Sequence, residues 1–137
     1  MKKLILLVFM LISATTWGNA QQVPEKSNAI IITMSDSIGL KEKVLKVLAD
    51  KDYTVNSGKT AKFIATAPKT LKNGTRVSYN FQFNGATIIM TGGLPVAGQS
   101  TQKIVYQGKK GTPVMNGWEE MDKIAKTFGG KLSYETK

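Results

Sequence analysis

Residues 75–94 read Thr-Arg-Val-Ser-Tyr-Asn-Phe-Gln-Phe-Asn-Gly-Ala-Thr-Ile-Ile-Met-Thr-Gly-Gly-Leu, and this stretch decides the fold. It holds two runs in which apolar and polar residues alternate, separated by Asn84-Gly85. Asn-Gly between such runs is the strongest short-range signal of a β-hairpin, because both residues tolerate the positive φ of a tight turn. A two-residue turn there predicts Phe81 opposite Ile88. The predicted core face consists of Val77, Tyr79, Phe81, Phe83, Ile88 and Met90, and the opposite face of Arg76, Ser78, Asn80 and Gln82.

Before the hairpin, the sequence predicts one strand and one helix. Residues 29–34 form a short apolar run rich in β-branched side chains, which is typical of a central strand. Leu40, Val44 and Leu48 then recur at helical spacing, which predicts an amphipathic helix of about three turns that ends near residue 50. The segment Ser35-Asp36-Ser37 supplies the predicted N-cap of that helix.

Two further strands are predicted between this helix and the hairpin, at residues 53–55 and 63–67. Pro68 lacks a backbone N–H and predicts an edge strand or a β-bulge where it interrupts the second of them. Asn73-Gly74 is a second turn signal and leads into the hairpin.

After the hairpin, residues 102–107 predict another strand. Thr112-Pro113 combines a capping residue with proline at the first helical position and predicts a helix start, whereas Asn116 with Glu119 allows a start one turn later. The glycines at 129–130 predict the end of this helix, and residues 132–134 predict a short last strand.

This order predicts an α+β domain: a curled antiparallel sheet of about five strands, with two helices on one face, in β-α-β4-α order. The order resembles the TATA-box-binding-protein-like topology, which also occurs in small secreted bacterial domains of unknown function. The resemblance covers most of the chain at the level of topology and implies no site residue. The helix-grip arrangement of lipid-binding domains is the alternative.

The first twenty residues have the pattern of a secretory signal peptide. Lys2 and Lys3 precede the apolar run 4–12, and Gly18-Asn19-Ala20 places small residues where a signal peptidase cleaves. The run is shorter than the ~20 residues that span a bilayer. We therefore predict a signal peptide at 1–20, a flexible lead-in at 21–28 and one domain at 29–137, exported to the periplasm or secreted. The absence of cysteine predicts a soluble product without disulfides or a lipidated cysteine.

Charge is distributed unevenly along the chain. Nineteen lysines and arginines oppose nine carboxylates, which gives a formal net charge of +10. Between Tyr53 and Trp118 there are eight cations and no carboxylate. A surface of this kind attracts anions, although lysines on strands also serve to protect sheet edges and to keep a protein soluble.

The residue types present argue against most enzymatic chemistry. The chain has no histidine and no cysteine, so the commonest neutral-pH base, the usual zinc ligands and a thiol nucleophile are all missing. Glu119 and Asp122 are spaced to share a helical face, but carboxylates at that place also complement the helix dipole. We predict no catalytic residues, no metal site and no cofactor.

The remaining hypothesis is a non-enzymatic binding module whose basic sheet surface meets an anionic partner of the bacterial envelope. Acidic polysaccharide, a lipid headgroup and an acidic protein all fit that description. Nucleic acid is not expected, because the hairpin aromatics are needed in the core and the signal peptide exports the chain. The alternatives are a carrier with an apolar cavity between sheet and helices, and an atypical hydrolase. The loop 108–112 also resembles either an anion site at a helix N-terminus or a solvated turn. The candidate anion-binding residues are Arg76, Lys103, Lys109, Lys110 and Thr112.

Overall fold

The computed structural model describes residues 22–57 and 62–137, and the predicted signal peptide lies outside them. The described residues form eight strands and two helices. In chain order these are β1 (Ala29–Thr33), α1 (Leu40–Asp50), β2 (Val55–Ser57), β3 (Phe63–Thr66), β4 (Lys69–Thr70), β5 (Arg76–Asn84), β6 (Thr87–Leu94), β7 (Gln102–Lys103), α2 (Pro113–Thr127) and β8 (Lys131–Glu135).

The predicted α+β class is confirmed, whereas the predicted strand count and curl were wrong. The strands lie in the order β2-β3-β5-β6-β1-β8, with β4 paired to β5 and β7 paired to β6. All of these pairs are antiparallel. The strand without a predicted counterpart is β4, which has only two residues and therefore too little alternation to be seen in a sequence. The sheet is open, since β2 and β8 lie at its opposite ends.

The hairpin is present, but its register differs from the prediction by two positions. Phe81 lies opposite Met90 and Asn84 lies opposite Thr87, so the turn consists of Gly85 and Ala86. Gly85 has a φ of 59°, and glycine at the first turn position is the preference of a type II′ turn. Because side chains alternate with a period of two, a shift by two residues keeps every side chain on its predicted face.

A register slip occurs at Pro68, where a bulge is predicted. β3 and β4 both pair with β5, but Ala65 lies opposite Asn80 while Lys69 lies opposite Val77, so the pairing shifts by one residue between them. The backbone N–H of Tyr79 donates instead to the hydroxyl of Thr66 at 2.9 Å. A side chain thus supplies the acceptor that the interrupted ladder lacks.

One core lies between the sheet and both helices. Tyr79 and Phe81 are completely buried, as the hairpin pattern predicts, and Phe83 is partly buried. Both helices contribute to the same apolar cluster as this face of the sheet, so both pack on one side of it. The Tyr79 hydroxyl donates to the carbonyl of Gly117 in α2 at 2.9 Å, which satisfies the only polar atom of this buried side chain.

The two helices begin differently. α1 spans the predicted residues, but the predicted cap was wrong: Gly39 is the N-cap, with a φ of 68° and no side-chain hydrogen bond. The carboxylate of Asp36 instead accepts from the N–H of Ile38 at 2.9 Å, which closes a local turn before the helix. In α2 the predicted cap is confirmed, because Thr112 accepts from the Met115 N–H at 3.2 Å and proline follows it.

The cap of α2 gives a direct prediction. Thr112→Ala removes the acceptor for the Met115 N–H and should lower the free energy of unfolding by about 1 kcal/mol. Urea unfolding followed by circular dichroism measures this loss. Thr127→Ala is the control, because that hydroxyl donates to the carbonyl of Lys123 within the last helical turn and caps no N–H. Equal losses in the two variants would contradict the capping role.

The strand predicted at 102–107 is shorter than expected. Only Gln102 and Lys103 pair with β6, and the chain then changes partner. The N–H of Ile104 still bonds the carbonyl of Gly92, but that of Tyr106 bonds the carbonyl of Ser27. The terminal strand predicted at 132–134 is confirmed as β8.

Candidate functional site

The sheet face away from the helices, here called the open face, carries mostly polar side chains. Its residues are assigned from the strand register and are partly or fully exposed, apart from the buried Ala29 and Gly93. In the described residues no helix covers this face, because both helices pack on the other. The members that matter below are Ser78, Asn80 and Gln82 of β5, Ile89, Thr91 and Gly93 of β6, Lys103 of β7, and Lys131, Ser133 and Glu135 of β8.

A pocket of about 410 Å³ lies on the open face, and we call it the open-face pocket. Its volume is in the range of small-molecule sites, which begins at ~300 Å³. Five separate segments of the chain form its wall. The lining residues are Asn28, Ser78, Asn80, Thr91, Gly92, Gly93, Thr101, Lys103, Ile104 and Lys137.

Gly93 provides the floor of the pocket because it has no side chain. It lies opposite Ser78 on one side and Lys103 on the other. A Cβ atom at Gly93 would collide with the Cγ2 methyl of Thr101, which lies over it. Glycine at this position therefore leaves room for the Thr101 side chain, which also lines the pocket.

One wall is held by a reciprocal contact between Asn28, just before β1, and Lys137, just after β8. The Asn28 side-chain amide donates to the carbonyl of Lys137 at 3.0 Å and accepts from its N–H at 2.7 Å. The ammonium of Lys137 lies 2.9 Å from the carboxylate of Glu135, with both side chains about half exposed. This exposed pair stabilises the fold little, so Lys137 is readily redirected to a bound anion.

The chemistry of the lining is well suited to a polar anion. Lys103 and Lys137 supply positive charge, and no lining residue has a carboxylate side chain. Ser78, Thr91 and Thr101 offer hydroxyls that both donate and accept, and Asn80 offers an amide that does the same. Cations donate the stronger, charge-assisted hydrogen bonds to carboxylate, sulfate or phosphate oxygens.

The predicted anion-binding residues are not brought together as one site. Lys103 lines the open-face pocket, whereas Arg76 lines a different surface pocket of about 570 Å³ with Pro95 and Asn116. Lys109 and Lys110 are exposed in the loop before α2 and line neither pocket.

The hydroxyl and carbonyl oxygens of Thr112 already accept hydrogen bonds from within α2. Its hydroxyl accepts from the Met115 N–H, its carbonyl accepts from the Asn116 N–H at 2.9 Å, and the next residue is proline, which has no N–H. Few donors are left at this helix end for an anion, so the arrangement favours the solvated-turn interpretation of residues 108–112.

Sequence reasoning missed several residues of the pocket. Thr91 could have been placed on the open face by alternation along β6, in the same way as Asn80 on β5. Asn28, Thr101 and Lys137 carried no such signal, because they reach the pocket only through the pairing of β1, β7 and β8 with their neighbours.

A second, more mixed pocket of about 790 Å³ lies between α2 and the β4–β5 connection. Its lining includes Asp52, Glu119 and Glu120 but also four lysines, at positions 51, 69, 72 and 123. Asp122 is not in this lining: it bonds the Tyr134 hydroxyl at 2.8 Å and pairs with Lys126 at 2.8 Å. The two carboxylates predicted to share a face therefore have different surroundings: Glu119 lines the second pocket, whereas Asp122 contacts Tyr134 and Lys126.

The central groups of the second pocket are engaged in contacts between elements. The Tyr53 hydroxyl donates to the carboxylate of Glu120 at 3.3 Å. Burial raises the pKa of Tyr53 well above its usual value, and the charge of Glu120 raises it further, so the hydroxyl keeps its proton. The ammonium of Lys69 donates to the carbonyl of Lys51 and lies 4.4 Å from the centre of the Tyr53 ring. These groups join α1, β4 and α2.

No family model, curated protein or solved structure matches this chain. The resemblance to the TATA-box-binding-protein-like topology accordingly stays a prediction, and function has to be argued from the pockets themselves.

The described residues contain no group of three or more histidine, cysteine, aspartate or glutamate side chains placed to hold a metal ion. Nor do they contain a helix with the length and apolar character that a membrane crossing requires.

Proposed function

We propose that this chain is an exported, non-enzymatic binding module that holds an acidic saccharide of the bacterial envelope in the open-face pocket. The observation that carries this proposal is the composition of the lining: two lysines, three hydroxyls and the Asn80 amide surround a glycine floor, without a carboxylate side chain. Sugar hydroxyls match side chains that donate and accept at once, and the lysines match a carboxylate or sulfate group.

The surroundings of the pocket support the same partner. The strands β3 to β7 lie wholly within the stretch from Tyr53 to Trp118 that has no carboxylate. Among the described residues of the open face the one carboxylate, Glu135, is outnumbered by the cations Arg76, Lys103 and Lys131. An anionic chain approaching this face meets an attractive potential, whose reach falls to ~8 Å at physiological salt.

The two alternative functions receive less support. In a carrier, the space between sheet and helices would be a cavity, but here it is filled by fully buried side chains such as Phe81, Met90 and Met121. A hydrolase would use the second pocket, where Glu120 and Lys69 are engaged in contacts that hold elements together.

Lys103→Ala should weaken the binding of oligogalacturonate about tenfold, because one charge-assisted hydrogen bond contributes roughly 1.5 kcal/mol. Isothermal titration calorimetry measures the dissociation constant. Lys109→Ala is the matched control: it removes the same charge from an exposed lysine outside the pocket and should change the constant less than twofold.

Further ligands separate the possible sources of the anion. Heparin fragments test sulfate in place of carboxylate, uncharged maltooligosaccharides test the sugar alone, and phosphatidylglycerol vesicles test a lipid headgroup. Equal losses for Lys103→Ala and Lys109→Ala would show that net charge, and not the pocket, attracts the ligand. Binding of the vesicles alone would replace the saccharide with a lipid headgroup.

A further inference from the structure

One end of the sheet is an edge that neither a bulge nor a proline interrupts. β8 is the last strand in the sheet order, and in the described part of the chain its strand partner is β1 alone. It pairs with β1 over five consecutive residues without a bulge, and it contains no proline. Natural proteins usually shorten, bend or cover such an edge, because its free N–H and C=O groups pair with any suitable strand.

The other end of the sheet has these protections. β2 has three residues, and its register with β3 shifts between Val55 and Ser57. The contrast between the two ends indicates that the edge of β8 is left open for a partner.

The sequence of β8 is complementary to itself in antiparallel pairing. The strand reads Lys131-Leu132-Ser133-Tyr134-Glu135, with a cation at one end and an anion at the other. If a second copy pairs antiparallel about Ser133, Lys131 lies opposite Glu135 of the other copy at both ends. The apolar positions 132 and 134 also lie opposite each other, and Ser133 faces itself.

The faces of the strand agree with this pairing. In an antiparallel pair, residues that lie opposite each other are on the same face. Lys131, Ser133 and Glu135 lie on the open face, where they are exposed. Leu132 and Tyr134 lie on the helix side and are partly buried, since they pack against the core. The charges thus meet in solvent and the apolar side chains meet beside the helices.

We propose that this chain forms a two-fold symmetric dimer through antiparallel pairing of β8 with β8 of a second copy. Ser133 lies on the two-fold axis. The same surface serves both copies, as in other closed dimers. The Glu135–Lys137 pair within each copy does not oppose this, because both side chains are about half exposed and exchange partners readily. The proposal is independent of the saccharide site, although it places the open faces of both copies on one side.

Disulfide trapping tests the axis, because the chain has no cysteine of its own. Residues directly opposite in an antiparallel pair have Cα atoms about 4.5–5.5 Å apart, which suits a disulfide. Ser133→Cys should therefore form a covalent dimer under mild oxidation, read on a non-reducing gel. Gln82→Cys is the control: it is also exposed on the open face, but β5 is three strands away from β8. Cross-linking of Ser133→Cys no faster than Gln82→Cys would overturn the proposal.

Charge reversal tests the pairing without a cross-link. Sedimentation equilibrium at about 0.15 M salt, where repulsion between the basic copies is screened, should show a concentration-dependent dimer of the purified chain. Lys131→Glu and Glu135→Lys should each weaken it about tenfold, because each places like charges opposite at both ends. The double variant Lys131→Glu/Glu135→Lys should recover the dimer. A chain that stays monomeric at about 1 mM, or a double variant no better than the single ones, would overturn the proposal.

Discussion

Phe81→Ala should lower the free energy of unfolding by about 3–5 kcal/mol, the largest effect that we expect from one substitution. Phe81 is completely buried and lies between Ile64 of β3 and Met90 of β6. Its ring also meets that of Phe128 after α2, edge to face, with centroids 6.3 Å apart. Alanine would lose the contacts of the ring with all three neighbours and leave a cavity between the sheet and α2. Since domains of this size are stable by ~5–15 kcal/mol, the variant should be close to unfolding at room temperature.

Gln82→Ala is the matched control for Phe81→Ala. It changes the next residue of the same strand, but its side chain is exposed on the open face. Exposed substitutions of this kind change stability by about 0.5 kcal/mol or less. Urea unfolding followed by circular dichroism measures both variants. Similar losses in the two would mean that the faces of β5 are not assigned as the structure has them.

Gly92→Ala should also destabilise the fold, by up to about 3 kcal/mol, because there is no room for a side chain on the core side of β6. A Cβ atom at Gly92 would lie 2.8 Å from Cδ1 of Ile104 and 2.8 Å from Cδ1 of Tyr79. Both neighbours are completely buried, and the Tyr79 hydroxyl is held by the carbonyl of Gly117. Neither can move aside without disturbing the packing around it.

Gly93→Ala is the control for Gly92→Ala, because it makes the same change at the next residue. Its new methyl group would meet the Thr101 side chain, which is exposed and is able to rotate away. The expected loss is below about 1 kcal/mol. The same variant should weaken binding of the proposed saccharide, because it displaces Thr101 from its place in the pocket lining. Thermal unfolding compares the two variants, and a Gly93→Ala loss as large as that of Gly92→Ala would contradict this account.

The hairpin shows what alternation determines in advance. Phe81 and Tyr79 lie on their predicted face although the turn moved from 84–85 to 85–86, because the register moved by two. Alternation fixes the face of a residue, whereas the turn decides which residue lies opposite it. The bulge at Pro68 was equally predictable, since a residue without an N–H cannot continue a ladder.

The candidate site was much less predictable. Asn28, Thr101 and Lys137 are distant in the chain and meet only because β1 lies between β6 and β8. The position of β1 between β6 and β8 is decided by packing over the whole sheet, and no local sequence pattern predicts it. The same reason explains why Lys103 and Arg76 were grouped by charge although they line different pockets.

The predicted N-cap of α1 was wrong for a different physical reason. Ser35, Asp36 and Ser37 have the chemistry of N-caps, and Asp36 does accept from a backbone N–H, but one turn before the helix begins. Gly39 is able to take the left-handed conformation from which the chain enters α1. Residue type showed that a turn was near and did not locate the first helical residue.

The position of Lys137 has a practical consequence for laboratory work. The Asn28 side chain forms two hydrogen bonds with its backbone at the mouth of the open-face pocket. An affinity tag or fluorescent reporter fused after Lys137 would therefore emerge at this pocket. Such an attachment would obstruct the entrance and compete with a captured sugar. With a cleavable tag at this position, the dissociation constant for the proposed saccharide should accordingly be higher before the tag is removed by protease than after.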